Sequence, residues 1–166
     1  MRFIACDPGN EKSAFVVYDS HEKTIKGKFI GPNKDCRLWL KHLAPIHQLL
    51  VMEYTKPYVR YTKAKKPYFP SQVMLTAREQ GRFQEIFESV DRKVDYIFRQ
   101  TVKAHIAGKA TASDSEIRKA LLDRYGGERV ALGKKASPGP LWGIKADLWQ
   151  ALAAGIAYAE KKLKCT

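Results

Sequence analysis

The sequence predicts an α/β fold with a five-stranded mixed sheet and helices on both faces. The apolar run Phe3–Cys6 ends in Asp7 and is followed at once by Pro8-Gly9, which is typical of a covered strand that stops at a turn. A second apolar run, Gln48–Met52, follows a helical segment and also ends in an acid, Glu53. This second pattern is typical of a buried parallel strand reached by a helical crossover.

Length and charge limit the functions that this chain can have. Its 166 residues favour one domain, residues 1–166, with a core that needs no disulfides. The chain has 30 Lys and Arg against 17 Asp and Glu, which gives a net charge of +13. An excess this large favours a polyanionic partner, with nucleic acid first and an anionic membrane surface second.

The cysteines and the hydropathy pattern indicate a location. Cys6, Cys36 and Cys165 are odd in number, widely spaced and without a CxxC pair. They argue for a reducing compartment, and against a disulfide framework or a zinc site. No apolar run approaches the ~20 residues that cross a bilayer. We therefore expect a cytoplasmic protein without a membrane partner.

The strands after Asp7 form an antiparallel meander. Ser13–Tyr18 and Thr24–Ile30 are predicted strands joined by short turns, and Gly9 is expected to adopt a positive φ in the first turn. Asn33 is the predicted N-cap of a helix that Pro45 closes.

The segment Lys56–Pro70 is a candidate nucleic-acid interface. Its three prolines argue against a regular element, and its basic residues alternate with aromatic ones. Lysines and arginines bind phosphates, and tyrosines stack on unpaired bases. The candidates in this segment are Lys56, Tyr58, Arg60, Tyr61, Lys63, Lys65 and Lys66. Later turns, including the basic loop Glu128–Pro140, add Lys109, Lys134 and Lys135.

Three helices and one strand complete the order β-β-β-α-β-α-β-α-α. Ser71–Val90 is a helix that serves either as a core element or as a dimer interface, and Val94–Phe98 is the fifth strand. A capping box at Ser113–Glu116 opens a helix that ends near Gly126-Gly127. The last helix is predicted over Ile144–Leu163, with Asp147 in its first turn.

The two strand-end acids are candidate metal ligands. If their strands are adjacent and parallel, Asp7 and Glu53 lie side by side at the sheet edge where α/β proteins bind ligands. Like charges this close need a cation, and oxygen ligands select Mg²⁺ or Mn²⁺. Asp147 is the candidate third ligand. The simpler alternatives are a solvated turn acid for Asp7 and a helix-dipole acid for Asp147.

In order, these motifs resemble the RuvC-type Holliday junction resolvases of the ribonuclease H-like superfamily. The matching features are the Asp7-Pro8-Gly9 strand and hairpin, the strand-end Glu53, Val102-Lys103 before a glycine turn, and Asp147-x-x-x-Ala-Leu-Ala. The resemblance implies a homodimeric, Mg²⁺-dependent endonuclease without a small-molecule cofactor, which nicks two opposed strands of a four-way DNA junction. It implies metal binding by Asp7, Glu53 and Asp147. Two-ion phosphodiester hydrolysis needs a ligand that bridges both ions, and Asp7 is the best candidate because it lies on the central strand. The resemblance also implies that Lys103 lies near the scissile phosphate, although an ordinary surface lysine is the alternative.

One position departs from the family pattern. The family has a second acid three residues after the first on the last helix, and this chain has Gln150. An amide oxygen ligates Mg²⁺ weakly and brings no charge. Either three acids suffice, or Asp114 or Glu116 supplies the fourth, or activity is weakened. His105 is expected to be a structural or surface histidine.

Two other function classes stay open, and a third is excluded. A ribonuclease H-like nuclease for flaps, forks or RNA–DNA hybrids would carry the same acids. A non-catalytic protein that binds branched DNA is favoured by Gln150. An actin-like ATPase or sugar kinase needs two such domains, and 166 residues hold one.

Overall fold

The computed structural model describes residues 1–54 and 70–162 in full and, between them, only the backbone of Arg60–Tyr61 and Pro67–Tyr68. Its strands are β1 (Arg2–Asp7), β2 (Lys12–Asp19), β3 (Thr24–Pro32), β4 (Leu49–Tyr54), β5 (Arg60–Tyr61), β6 (Pro67–Tyr68), β7 (Lys93–Phe98), β8 (Gly133–Lys134) and β9 (Ser137–Pro138). Its helices are α1 (Asn33–Leu43), α2 (Ser71–Glu88), α3 (Arg99–Ala107), α4 (Asp114–Arg124), α5 (Glu128–Leu132) and α6 (Leu148–Lys162).

The main sheet has five strands in the order β3-β2-β1-β4-β7. β1 and β2, and β2 and β3, are antiparallel, whereas β1 and β4, and β4 and β7, are parallel. Cys6 lies opposite Met52, so Asp7 and Glu53 follow at the same edge. The predicted mixed sheet is confirmed, and so is the adjacency of the two strands that carry the acids.

Helices cover both faces of this sheet, as predicted. On one face, α6 packs on β1 and β2 through a core that includes Phe3 and Leu152. A Cβ atom at Gly155 would lie 3.0 Å from the Cβ of Ala5, so this glycine allows α6 to lie close to the sheet. On the other face, α1 and α2 bury residues such as Leu40 and Phe83.

Two helices and two short hairpins were not predicted. α3 begins directly after β7 without a side-chain cap, so the sequence carries no start signal there. Burial of Val102 and Ile106 stabilises it, and Gly108 ends it at a φ of 77°. The loop predicted over Glu128–Pro140 contains α5 and the β8–β9 hairpin.

The expectation that prolines exclude any regular element between β4 and α2 was wrong. β5 and β6 pair as a two-residue antiparallel ladder in which Tyr61 lies opposite Pro67. Proline cannot donate to a ladder, but a two-stranded sheet has outward-facing positions where no donor is needed.

The helix that carries Asp147 starts later than predicted. α6 begins at Leu148, and Asp147 lies just before it, where its carbonyl accepts hydrogen bonds from the backbone N–H groups of Gln150 and Ala151 at 3.1 Å each. Ala146, with a φ of 45°, turns the chain into the helix. By contrast, the capping box of α4 is confirmed, with Ser113 and Glu116 bonded reciprocally.

Three further expectations concern the helix α2, the cysteines and membrane-spanning helices. In α2, Phe83, Ile86 and Phe87 are core residues, while Met74 is 59% exposed, and dimerisation stays a prediction. Cys6 and Cys36 are buried free thiols, whereas Cys165 lies outside the described residues. Within the described residues, no helix is both long and apolar enough to cross a membrane.

Candidate active site

A network of hydrogen bonds braces the turn that follows Asp7. The backbone N–H of Gly9 donates to Oγ of Ser13 at 3.1 Å, and that hydroxyl donates to Oδ1 of Asn33 at 2.7 Å. Nδ2 of Asn33 donates back to the carbonyl of Gly9 at 3.0 Å. Asn33 is therefore not the N-cap of α1, a position that Pro32 takes, but a brace between the first turn and α1.

Gly9 is required for a reason other than the predicted one. It is not among the residues with a positive φ. Instead, a Cβ atom at this position would lie 2.2 Å from the carbonyl oxygen of Lys12, far inside van der Waals contact. The glycine therefore permits a close approach of the two arms of the turn, and this fixes where β1 ends and where Asp7 lies.

Asp7 and Glu53 face a cleft of about 600 Å³ at the carboxyl ends of β1, β4 and β7. Glu53 is only 5% exposed, and Asp7 is half-buried. Nε2 of the buried Gln80 donates to the backbone carbonyl of Glu53 at 2.6 Å, which ties α2 to the end of β4. α2 and α3 line the rest of the cleft, with Gln72, Val73, Thr76, Arg99, Gln100 and Lys103.

Burial disfavours the ionisation of both acids, and the charge of Glu53 further disfavours that of Asp7. Burial raises the pKa of Asp7 well above its usual range, and the charge of Glu53 raises it further, against the opposing guanidinium of Arg99. Burial also raises the pKa of Glu53, and the charge and hydrogen bond of Arg99 oppose that shift. A cation close to both carboxylates would stabilise their ionised forms.

Glu53 has one paired and one unpaired oxygen. Nη1 of Arg99 donates to its Oε1 at 2.8 Å. Its Oε2 is buried and accepts no hydrogen bond from any residue that the structure describes. Buried polar atoms nearly always have a partner, so an unpaired carboxylate oxygen beside a second acid is a candidate position for a ligand.

Asp147 and Gln150 lie in a neighbouring cavity rather than in this cleft. That cavity, of about 570 Å³, is also lined by Asp114. Nζ of Lys12 lies 3.6 Å from Oδ2 of Asp147, and Gln150 is 6% exposed. The charge of Asp147 still contributes to the raised pKa of Asp7, so the two acids are within electrostatic range.

These residues fit a hard divalent cation in part. The unpaired Oε2 of Glu53 and the adjacent carboxylate of Asp7 are oxygen donors of the kind that Mg²⁺ and Mn²⁺ prefer. Among the described residues, however, no three His, Cys, Asp or Glu side chains converge on one point as a ready metal cage. Asp147 and Gln150 therefore stay predicted ligands, which the structure leaves beside the acidic pair rather than in contact with it.

The other predicted residues divide into cleft and surface positions. Lys103 lines the cleft, and its positive charge reaches Glu53. Nε2 of His105 lies 2.6 Å from Glu160, in agreement with its expected structural role. Lys109 is exposed and pairs with Glu116 at 2.5 Å, and Glu116 also completes the α4 capping box. Its role as a fourth ligand stays a prediction.

Most of the predicted DNA-binding residues are not described by the structure. Lys56, Tyr58, Lys63, Lys65 and Lys66 lie outside the described residues, and Arg60 and Tyr61 are described only in their backbone. Lys134 and Lys135 are exposed around the turn of the β8–β9 hairpin. These basic residues stay predictions.

Two charged residues of the site were missed from the sequence. Arg99 follows the end of β7, the third parallel strand, and the rule that identified Asp7 and Glu53 would have found it if it had been applied to cations. Lys12, the partner of Asp147, lies at the start of β2 and carries no signal in the sequence.

Comparisons with known proteins agree with this architecture. No protein-family model and no curated protein matches the sequence. Among solved structures, RuvC from Thermus thermophilus is similar over 100% of this chain and 98% of its own, with a TM-score of 0.61 and 16% identity. T. thermophilus RuvC in complex with a Holliday junction substrate is similar over 98% of this chain and 96% of its own, with a TM-score of 0.56 and 13% identity. The chain therefore has the RuvC fold, an α/β architecture of the ribonuclease H-like type.

Proposed function

We propose that this protein is a metal-dependent endonuclease that resolves four-way DNA junctions by paired, symmetric nicks. The observation that carries the proposal is the Asp7–Glu53 pair, with its unpaired Oε2, at the carboxyl edge of a RuvC-type sheet. A structural neighbour is a RuvC bound to a Holliday junction substrate, which supports branched DNA as the ligand. The net charge of +13 suits a polyanion.

Asp7 and Glu53 would hold Mg²⁺ or Mn²⁺, and Asp147, with Gln150, would approach from the α6 side. The chemistry that a divalent cation supplies in such a site is activation of water for attack and stabilisation of charge on the phosphate. Lys103 lies in the same cleft, where its ammonium would bind the scissile phosphate and offset its developing charge. The basic residues of Lys56–Pro70 and of the β8–β9 hairpin would bind the DNA arms.

Cleavage of a fixed and a mobile four-way junction tests this proposal. Wild type should nick opposite arms symmetrically in Mg²⁺, and Asp7→Asn should abolish nicking while binding at equal salt is retained. Asp35→Asn is a matched control, because it removes an exposed acid from the first turn of α1, outside the cleft. Loss of junction binding in Asp7→Asn together with retained cleavage would contradict the assignment.

A second candidate is a non-catalytic protein that binds branched DNA. Gln150 in place of an acid, and the pairing of Asp147 with Lys12, favour it. This candidate predicts tight junction binding without any metal-dependent product. A panel of flaps, forks, RNA–DNA hybrids and four-way junctions at one salt concentration separates both candidates from another ribonuclease H-like nuclease.

Symmetric nicking requires two active sites, and we propose that α2 forms the homodimer interface. Arg78, Gly81 and Glu85 lie on its outward face, and a Cβ atom at Gly81 would meet nothing within 4 Å. A glycine in an exposed helix interior costs about 1 kcal/mol relative to alanine, so close approach of a second chain would give it a purpose. In an antiparallel pair of α2 helices centred near Gly81, Arg78 of each chain would face Glu85 of the other, as two-fold symmetry requires.

A charge exchange tests this interface. Arg78→Glu should turn the dimer into a monomer in sedimentation experiments, because it places two acids opposite each other. The double variant Arg78→Glu/Glu85→Arg should restore the dimer. If wild type is a monomer at concentrations that support paired nicking, the interface proposal is wrong.

A further inference from the structure

Arg99 brings a positive charge to the same sheet edge as the two acids. It is the first residue of α3, directly after β7, and β7 pairs with β4 so that Ile97 lies opposite Glu53. Three neighbouring parallel strands thus end near Asp7, Glu53 and Arg99. The end of a core strand therefore positions Arg99, as it positions the two acids.

The guanidinium of Arg99 is shared between two carboxylates. Its Nη1 donates to Oε1 of Glu53 at 2.8 Å, and its Nη2 donates to Oδ1 of Asp114 at 3.0 Å. Asp114 opens α4 and has a side chain that is 64% exposed, whereas the side chain of Glu53 is 7% exposed. Arg99 itself, with a side chain that is 42% exposed, has open space beside it.

Arg99 stays protonated in this position. Burial alone would lower its pKa, but the carboxylates of Glu53, Asp7 and Asp114 outweigh this effect and raise the pKa. Arg99 therefore counts as a full positive charge next to the acidic pair.

We propose that Arg99 is an internal counter-cation that competes with a divalent metal ion for Glu53, and that Asp114 keeps hold of the guanidinium when Glu53 is released to the metal. In the metal-free protein, Arg99 offsets part of the charge of the pair and lowers the affinity for the ion. This inference rests on the proposed function of Asp7 and Glu53 as a metal site.

Two opposing effects of Arg99 on metal binding can be compared. Its hydrogen bond fixes the Glu53 side chain, which would favour binding through Oε2. Its charge, bonded to Oε1 of the same carboxylate, repels a divalent cation at Oε2. At an effective dielectric constant of about 20, repulsion between charges this close changes affinity by about tenfold or more, which exceeds the gain from fixing one side chain. Competition is therefore the dominant effect.

Mn²⁺ binding to the DNA-free protein, followed by electron paramagnetic resonance of the free ion, tests the proposal. We expect Arg99→Gln to bind Mn²⁺ about tenfold more tightly than wild type. Arg99→Lys keeps the charge and should stay within about threefold of wild type, on the same Coulomb argument. Lys103→Gln is the comparison variant: it removes the same charge from the same cleft without breaking a bond to Glu53, so we expect a smaller gain in affinity than for Arg99→Gln.

Three results would overturn the proposal. Arg99→Gln binds Mn²⁺ no more tightly than wild type, or Lys103→Gln gains as much affinity as Arg99→Gln, or Arg99→Lys gains as much as Arg99→Gln. If wild type nicks junctions while Arg99→Gln gains no affinity, this inference fails and the proposed function stands. If no variant binds Mn²⁺ and wild type makes no nicks, both fail.

A measurement on wild type covers the case in which Arg99→Gln does not fold, since that variant leaves Glu53 buried without its partner. Mg²⁺ should shift the side-chain ¹H–¹⁵N signal of Arg99 in nuclear magnetic resonance spectra, because the bond to Glu53 is released. An Arg99 signal that does not move at saturating Mg²⁺ would overturn the proposal independently of any variant.

Discussion

Glu53 and Glu79 are two buried glutamates with different surroundings. Glu79, on α2, is 2% exposed, and both of its oxygens are paired: Oε2 accepts from Nη1 of Arg37 and Oε1 from Nη1 of Arg82, each at 2.5 Å. Glu53, on β4, is 5% exposed, and among the described residues only its Oε1 has a partner, Arg99.

This difference is what we expect between a structural carboxylate and one that binds a ligand. A buried charge is costly unless it is paired. The charge of Glu79 is paired with two arginines of the same chain, and one of them, Arg37, links α1 to α2. Among the described residues, the charge of Glu53 is only partly paired, because the guanidinium of Arg99 bonds to one of its oxygens and also faces the neighbouring charge of Asp7. The local excess of negative charge at the sheet edge is what a divalent cation would neutralise.

Substitutions of the two glutamates should differ most in their effect on the rate of DNA cleavage. Glu53→Gln is expected to lower the rate of junction nicking by about a thousandfold or more, the scale of losing a principal catalytic group. Glu79→Gln, with the same chemical change at similar burial, should keep nicking within a fewfold of a folded control. Equal losses in the two variants, measured by single-turnover nicking at saturating protein, would break the comparison.

The effects of the two substitutions on the free energy of unfolding should be in the reverse order. Glu79→Gln is expected to lower the free energy of unfolding by about 1–3 kcal/mol, because Arg37 and Arg82 lose their shared anion. Glu53→Gln should change it by less than about 1 kcal/mol, since the lost bond to Arg99 is offset by relief of repulsion with Asp7. Urea unfolding at pH 7 in the presence of a chelator measures both. A larger loss in Glu53→Gln would contradict this assignment.

The pH dependence of stability sharpens the same contrast. The pKa values of Asp7 and Glu53 are raised in the folded protein, so folding favours their protonated forms. Their contribution to stability is therefore complete below the unfolded-state values near pH 4 and is lost as pH rises through the raised values.

The double variant Asp7→Asn/Glu53→Gln should lack this loss. The difference in unfolding free energy between double variant and wild type, measured by denaturant titration from pH 4 to pH 8, should grow with pH in favour of the variant. Saturating Mg²⁺ should reduce that difference, because it stabilises the ionised pair of wild type. A flat difference across this range would contradict the raised pKa values.

The smallest effect is expected from a change at Ser113, which caps the helix that bonds to Arg99. Ser113 caps α4, whose first residue, Asp114, holds the guanidinium. Ser113→Ala should lower the free energy of unfolding by about 1 kcal/mol. Nicking should stay within about threefold of wild type, because a lost cap frays one turn and leaves the bond between Arg99 and Glu53 in place. A loss of nicking comparable to that of Glu53→Gln would mean that the cap itself organises the cleft.

Sequence patterns predicted the sheet better than the helix ends. The strands were recognisable because apolar runs that stop at turns are local signals, and the parallel pairing followed from the crossover. The start of α6 was placed at Ile144 rather than Leu148, because the turn at Ala146 has no sequence signature. α3 was missed because its start at Arg99 lacks a capping residue, so no local signal marks it.

What the sequence determined by itself is the sheet edge at which the two acids lie. Asp7 and Glu53 end core strands, and strand order alone brings them together, so local pattern and simple topology were enough. The tertiary structure decided which charges meet them: Arg99 bonds to Glu53, Lys12 pairs with Asp147, and Asp147 lines the next cavity. Such contacts join residues far apart in the chain. They depend on the angle and depth at which helices pack, which no local pattern encodes.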